Sequence, residues 1–103
     1  MKDWKLKLRF GKEKTPYTHF TVLADGIVGE LKEGFDCRPG KAWMSMKTWS
    51  TSADESEEMI RVIGAQIGFT VTGKIQVYKT EPIEAPSDNP KGYDINFRPY
   101  DEA

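Results

Sequence analysis

The chain holds one cysteine and one histidine in 103 residues. Cys37 alone closes no intramolecular disulfide, so a reducing compartment is the simpler expectation. A structural zinc site needs about four ligands, which one Cys and one His do not supply. No metal site and no cofactor are therefore expected. A Cys37–His19 nucleophile pair would require the two side chains to meet in space, and the local pattern brings nothing of the kind together. No phosphate-loop or dinucleotide-type glycine pattern is present. Gly64 and Gly68 fall at the end of a helical stretch rather than before its start. No catalytic residues are assigned.

Long apolar runs are missing as well. No segment approaches the roughly eighteen consecutive apolar residues of a membrane span. The opening MKDWKLKLRF alternates charge with hydrophobe and lacks the apolar run of a signal peptide. A cytoplasmic protein without membrane contact is the expectation. The net charge of −1 gives the whole molecule no dominant attraction for nucleic acid or membrane. That neutrality hides an uneven spread: six basic and two acidic groups in 1–14, four acidic groups in 54–58, and two basic against six acidic groups in 81–103.

What is present reads as a small α+β domain. Trp4–Phe10 alternates Trp4, Leu6, Leu8 and Phe10 with Lys5, Lys7 and Arg9, the pattern of a half-buried strand. Two β-prone runs within Thr18–Leu31 flank Asp25-Gly26, a dipeptide suited to a type I′ hairpin turn. In that hairpin Phe20, Val22, Ala24, Ile27, Gly29 and Leu31 share the inner face. Pro39-Gly40 suits the centre of a type II turn. Lys41–Ser50 is a fourth strand, with Ala42, Met44, Met46 and Thr48 on one face and Trp43, Ser45, Lys47 and Trp49 on the other. Ser52 and Glu55 form a capping box. Met59, Ile60, Ile63 and Ile67 recur as the buried stripe of one helix, and Gly68 ends it. Phe69–Thr80 returns as a strand.

Beyond Thr80 the chain turns proline-rich, with Pro82, Pro86, Pro90 and Pro99. Tyr93, Ile95 and Phe97 then alternate with polar residues. The expected fold is a mostly antiparallel sheet of about five strands, in the order ββββαβ, with the helix on one face. Residues 1–80 form the domain. Residues 81–103 form an extended arm that docks through Tyr93, Ile95, Phe97 and Tyr100, on the domain itself or on a second subunit.

Both faces of Lys41–Ser50 carry large side chains, so one aromatic face is left for something to cover. The expected function is non-catalytic binding of another protein, as an accessory, inhibitor or immunity-type protein would do, with a homodimer as one arrangement. Trp43, Trp49 and Tyr78 are its anchors, and Lys47, Lys5, Lys7 and Arg9 share the face. The alternative is single-stranded nucleic acid: bases stack on the rings while the cations follow phosphate. About 20 Å separates Trp43 from Trp49 along the strand, too far for adjacent bases.

Overall fold

A computed structural model describes residues 15–100. The expected strand Trp4–Phe10, with Lys5, Lys7 and Arg9, lies outside the described residues. Those described form an α+β unit in the order ββαββ: β1 (Thr18–Val28), β2 (Gly40–Ser50), α1 (Ala53–Ile67), β3 (Phe69–Lys79) and β4 (Lys91–Pro99). The sheet runs β3-β1-β2-β4, and every neighbouring pair is antiparallel. β2 and β3 are thus parallel to each other with β1 between them, and α1 makes the crossover.

The expected hairpin at Asp25-Gly26 is not there. β1 runs straight through that dipeptide, paired from Thr18↔Ser50 to Val28↔Gly40. A type I′ turn needs positive φ at both centres, and Gly26 is not among the residues that have it. Gly26 serves close packing instead. A Cβ there would meet the Thr70 carbonyl oxygen at 2.2 Å and the Phe69 ring at 2.5 Å. The turn falls eight residues later, where Glu33 and Gly34 take φ of 59° and 83° and the Phe35 amide donates to the Lys32 carbonyl at 3.1 Å. With no turn, the alternation continues unbroken. Val28 is buried at 1% exposure while Ile27 is 43% exposed, the reverse of the hairpin assignment.

The helix follows its sequence signals closely. The Ser52 hydroxyl accepts from the Glu55 amide at 3.1 Å, and Gly68 closes the C-terminus at φ 110°. The Glu55 carboxylate reaches back to the Thr51 amide at 2.6 Å and the Thr51 hydroxyl at 2.8 Å. Ile60 and Ile67 are buried as expected, and Met59 and Ile63 pack partly buried beside them. Two small residues complete the stripe. Ser56 and Gly64 are buried at i, i+4 and i+8 from one another and Ile60, because they let the helix approach the sheet. Under Ser56, whose hydroxyl lies 2.7 Å from Thr48 Oγ1 and 2.6 Å from Ser50 Oγ, three hydroxyls satisfy one another at zero exposure.

The core therefore lies between α1 and one sheet face, built from Phe20, Val22, Ala24, Val28, Ala42, Met44, Met46, Ile60, Ile67 and Phe69. Ile95 and Phe97 of β4 pack against it, with Phe97 5.6 Å from the Phe69 ring and 5.8 Å from Phe35.

Tyr93 does not share their face. The β2–β4 register shifts between Ser45↔Asn96 and Lys47↔Tyr93, so Asp94 and Ile95 together oppose Met46. Asp94 takes φ of 54° at this bulge. One extra residue reverses the alternation, and Tyr93 turns to the face away from the helix.

Candidate functional site

The sheet face opposite α1 is the candidate site, and the pairing registers define it. Thr21, Leu23, Asp25 and Ile27 come from β1, Trp43, Ser45 and Lys47 from β2, Gln76 and Tyr78 from β3, and Asn96 and Arg98 from β4. Among the described residues, three of the five exposed large apolar side chains lie here: Ile27, Tyr78 and Tyr100, at 43%, 50% and 43%. A monomer keeps such side chains scattered unless the patch has a use. Trp43 is half-buried at the centre, its ring 5.6 Å from that of Tyr100.

Two shallow depressions adjoin Trp43. One, of ≈ 730 Å³, is lined by Leu23, Trp43, Ser45, Gln76, Asn96, Phe97 and Arg98. The other, of ≈ 870 Å³, lies between Trp43, Arg98, Pro99 and Tyr100. The polar groups on this floor are amides, hydroxyls and one guanidinium. The Tyr78 hydroxyl donates to Gln76 Oε1 at 2.9 Å, and the Asn96 amide leans back on Asp94. Asp25, directly opposite Trp43, has a buried Oδ1 with no hydrogen-bond partner among the described residues.

The other end of this face is closed. Trp49 sits at 1% exposure, and its indole N–H donates to the Glu84 carbonyl at 2.8 Å. His19, directly across on β1, meets Trp49 edge-on at 5.0 Å. The Tyr93 hydroxyl lies 2.7 Å from His19 Nε2 and accepts from the Ile83 and Glu84 amides at 3.1 and 3.3 Å. The Tyr17 hydroxyl donates to the Asp88 carbonyl at 3.0 Å. Residues 80–88 thus cross this end of the face, held through main-chain atoms and through the side chains of Thr80 and Glu84. Burial pushes the His19 imidazole below the ordinary histidine range, and the Lys47 charge adds to it. The Thr80 carbonyl and Glu81 act the other way.

The expected site residues therefore divide. Trp43 and Tyr78 stand on the open part. Lys47 stands between the two parts, bonded to Asp94 at 2.7 Å, and this pairing holds the Asp94 carboxyl below its usual range. Trp49 is enclosed by the chain's own segment, while Lys5, Lys7 and Arg9 lie outside the described residues. Among the arm residues, Ile95 and Phe97 face the core, Tyr93 faces the segment, and Tyr100 lies tilted against Trp43. Leu23, Asn96 and Arg98 were missed. Plain alternation sets Asn96 and Arg98 opposite to Ile95 and Phe97; what brings Leu23, Asn96 and Arg98 to Trp43 is the strand order β3-β1-β2-β4, which no local spacing announces.

The lone cysteine and histidine stay apart. Cys37 precedes Gly40 at one end of the β1–β2 ladder while His19 pairs at the other, about 30 Å away at strand spacing. Among the described residues no helix is long and apolar enough to cross a membrane. Compared with known proteins, the chain matches no family model, no curated protein and no solved structure.

Proposed function

We propose that this chain is a non-catalytic interaction module that binds another protein through the open sheet face around Trp43. The observation that carries the reading is the one-sided covering of the sheet. The helix takes one face, and the other presents a half-buried indole flanked by Tyr100 and Arg98, with Ile27 and Tyr78 exposed elsewhere on the same face. Aromatic and arginine side chains dominate interface energetics, and such anchors sit centrally within a polar surround. Here the surround is Ser45, Gln76 and Asn96.

The test is site-specific photo-crosslinking in the native host, with the reactive side chain placed at Gln76 and, separately, at Arg61 on the exposed side of the helix. A discrete protein adduct from Gln76, absent from Arg61 and lost with Trp43→Ala, supports the reading. No adduct at Gln76, or equal adducts from both positions, overturns it.

A second reading has its own observation. Trp43, Tyr78 and Tyr100 offer rings on an open four-stranded sheet, with Arg98 across from Trp43 on β4. That is how single-stranded nucleic acid is held. It predicts quenching of tryptophan fluorescence by a mixed oligonucleotide pool that weakens steeply with salt. Unchanged fluorescence at low salt removes it.

A further inference from the structure

The closed end of the sheet face carries a separate consequence, built on the chain's only histidine. His19 is 4% exposed, and both ring nitrogens are engaged. Nδ1 lies 3.0 Å from the Thr80 carbonyl oxygen and 3.1 Å from the Thr80 hydroxyl; a bare Nδ1 would set its lone pair against the carbonyl's, so Nδ1 bears the proton and the Thr80 hydroxyl turns its own to Thr21 Oγ1 at 2.8 Å. Nε2 must then accept, and the Tyr93 hydroxyl at 2.7 Å donates to it. With its proton so directed, the Tyr93 oxygen has lone pairs for the Ile83 and Glu84 amides. The tautomer of one ring thus fixes the direction of the bonds that run from Thr80 through His19 and Tyr93 to Ile83 and Glu84.

Protonation reverses the last link. An imidazolium donates from both nitrogens, so Nε2–H would compete with two main-chain amides for the same phenol oxygen. The Tyr93 hydroxyl hydrogen would lose its acceptor between two residues that are only 4% and 9% exposed. We infer that residues 80–88 are a strap over Trp49, latched by neutral His19 through Tyr93, and that acid opens it.

The charges around the latch come from three elements. Lys47 on β2 disfavours an imidazolium and Glu81 in the strap favours one. Lys47 is itself paired with Asp94 of β4. Lys91, over the Tyr93 ring at 5.5 Å, is paired with Glu84 of the strap. Histidine is the side chain whose ordinary titration falls between about pH 5 and 8, so within that window His19 is the group that changes. Because burial favours its neutral form, an opened strap holds the proton more readily than a closed one. The ratio of open to closed then rises by up to ~10-fold per pH unit below about 6.5, and levels off below the closed-state pKa. Opening would bare Trp49 and extend the aromatic face from Trp43 to the end of β2. That last consequence rests on the binding reading above, whereas the latch does not.

The experiment is amide and indole hydrogen exchange by NMR on the full-length protein without any partner, from about pH 7.5 to 5. Protection factors at Ile83, Glu84 and the Trp49 indole are expected to fall with pH, while those at Val22 and Met44 hold. His19→Gln keeps a side-chain amide toward Tyr93 but cannot take up a proton, so it is expected to flatten the dependence. Tyr93→Phe removes the shared oxygen and is expected to lower protection at every pH. Constant wild-type protection down to about pH 5 overturns the latch. So does a His19→Gln variant that keeps the wild-type slope. Should His19→Gln fail to fold, the wild-type titration and Tyr93→Phe decide the question. A missing partner at the open face would leave these results untouched, which keeps the two failures distinct.

Discussion

Replacing Gly26 distinguishes a turn glycine from a packing glycine. In the sheet, a Cβ at position 26 points to the core side and meets the Thr70 oxygen at 2.2 Å and two Phe69 ring atoms at 2.5 and 2.8 Å. The Phe69 ring is itself at zero exposure against the core, and the Thr70 oxygen belongs to the β3 backbone. Neither can yield without moving β3 away from β1. Overpacking costs about 1–3 kcal/mol, and a backbone obstacle places Gly26→Ala near ~3 kcal/mol. That is a large share of the ~5–15 kcal/mol expected for a domain of this size. It corresponds to a fall of about 12–24 °C in Tm, or about 2 M in urea midpoint at a slope of ~1.5 kcal/mol/M. The order of substitutions carries further information. At a type I′ turn, Asn would be the best replacement, since it tolerates positive φ. Between two packed strands, Asn is bulkier and worse than Ala. Urea unfolding of Gly26→Ala and Gly26→Asn, followed by circular dichroism, checks both points. A loss below ~0.5 kcal/mol for Ala, or an Asn variant at least as stable as Ala, would falsify the packing argument.

Four further outcomes follow from the same geometry. Ile60→Ala empties a fully buried site between helix and sheet and is expected to cost about 2–5 kcal/mol by chemical denaturation. Ser56→Ala leaves Thr48 and Ser50 one hydroxyl short in a dry site, for a loss of about 1–2 kcal/mol; a neutral result would show that the cluster is wet. Global stability is expected to decline as pH falls from about 6.5 toward the His19 pKa, because the unfolded chain binds the proton more tightly than the buried imidazole does. Urea midpoints at several pH values measure this, and His19→Gln should remove the slope in that window. Asp94, held low by Lys47, adds a loss confined to pH below its ordinary range near 3.8. Trp43→Ala is expected to leave the fold intact by circular dichroism while weakening partner binding by at least ~2 kcal/mol, about 30-fold; an unchanged affinity would move the interface away from this indole.

Local chemistry was legible wherever one bond or one clash decides the outcome. Ser52 and Glu55 mark the start of α1 and Gly68 its end because capping is satisfied within a few residues. The division of β2 into Met44 and Met46 against Trp43, Ser45 and Lys47 needed only the two-residue period of a strand. The Asp25-Gly26 signal failed for a physical reason. Glycine is demanded both by positive φ and by a backbone pressed against another residue, and sequence does not say which. Here Phe69, more than forty residues away, supplies the pressure. The true turn lies at Glu33-Gly34, where glutamate is a poor advertisement for positive φ. Ser56 and Gly64 went unseen for a related reason. A stripe read from large hydrophobes misses the small residues that set how closely a helix can dock.

The candidate site depends on an irregularity more than on any motif. Under strict alternation Tyr93 would join Ile95 and Phe97 beneath the helix, and no hydroxyl would stand opposite His19. The extra residue at Asp94 turns Tyr93 over, and the Asp94 side chain is then held by Lys47 from the neighbouring strand at 2.7 Å. The bulge thus delivers the phenol that grips the Ile83 and Glu84 amides, which encloses Trp49, while Asn96 and Arg98 keep the regular alternation and stay beside Trp43 on the open floor. An Asp94→Pro substitution offers a sharp check, since proline cannot adopt φ near 54°. Its expected signature is loss of protection at Ile83 and Glu84 together with altered Trp49 emission, while Ser52, Gly68 and the α1 amides keep their protection. A variant that loosens α1 as much as the strap would show that β4 secures the core as a whole, and that the bulge has no special hold on the closed end of the face.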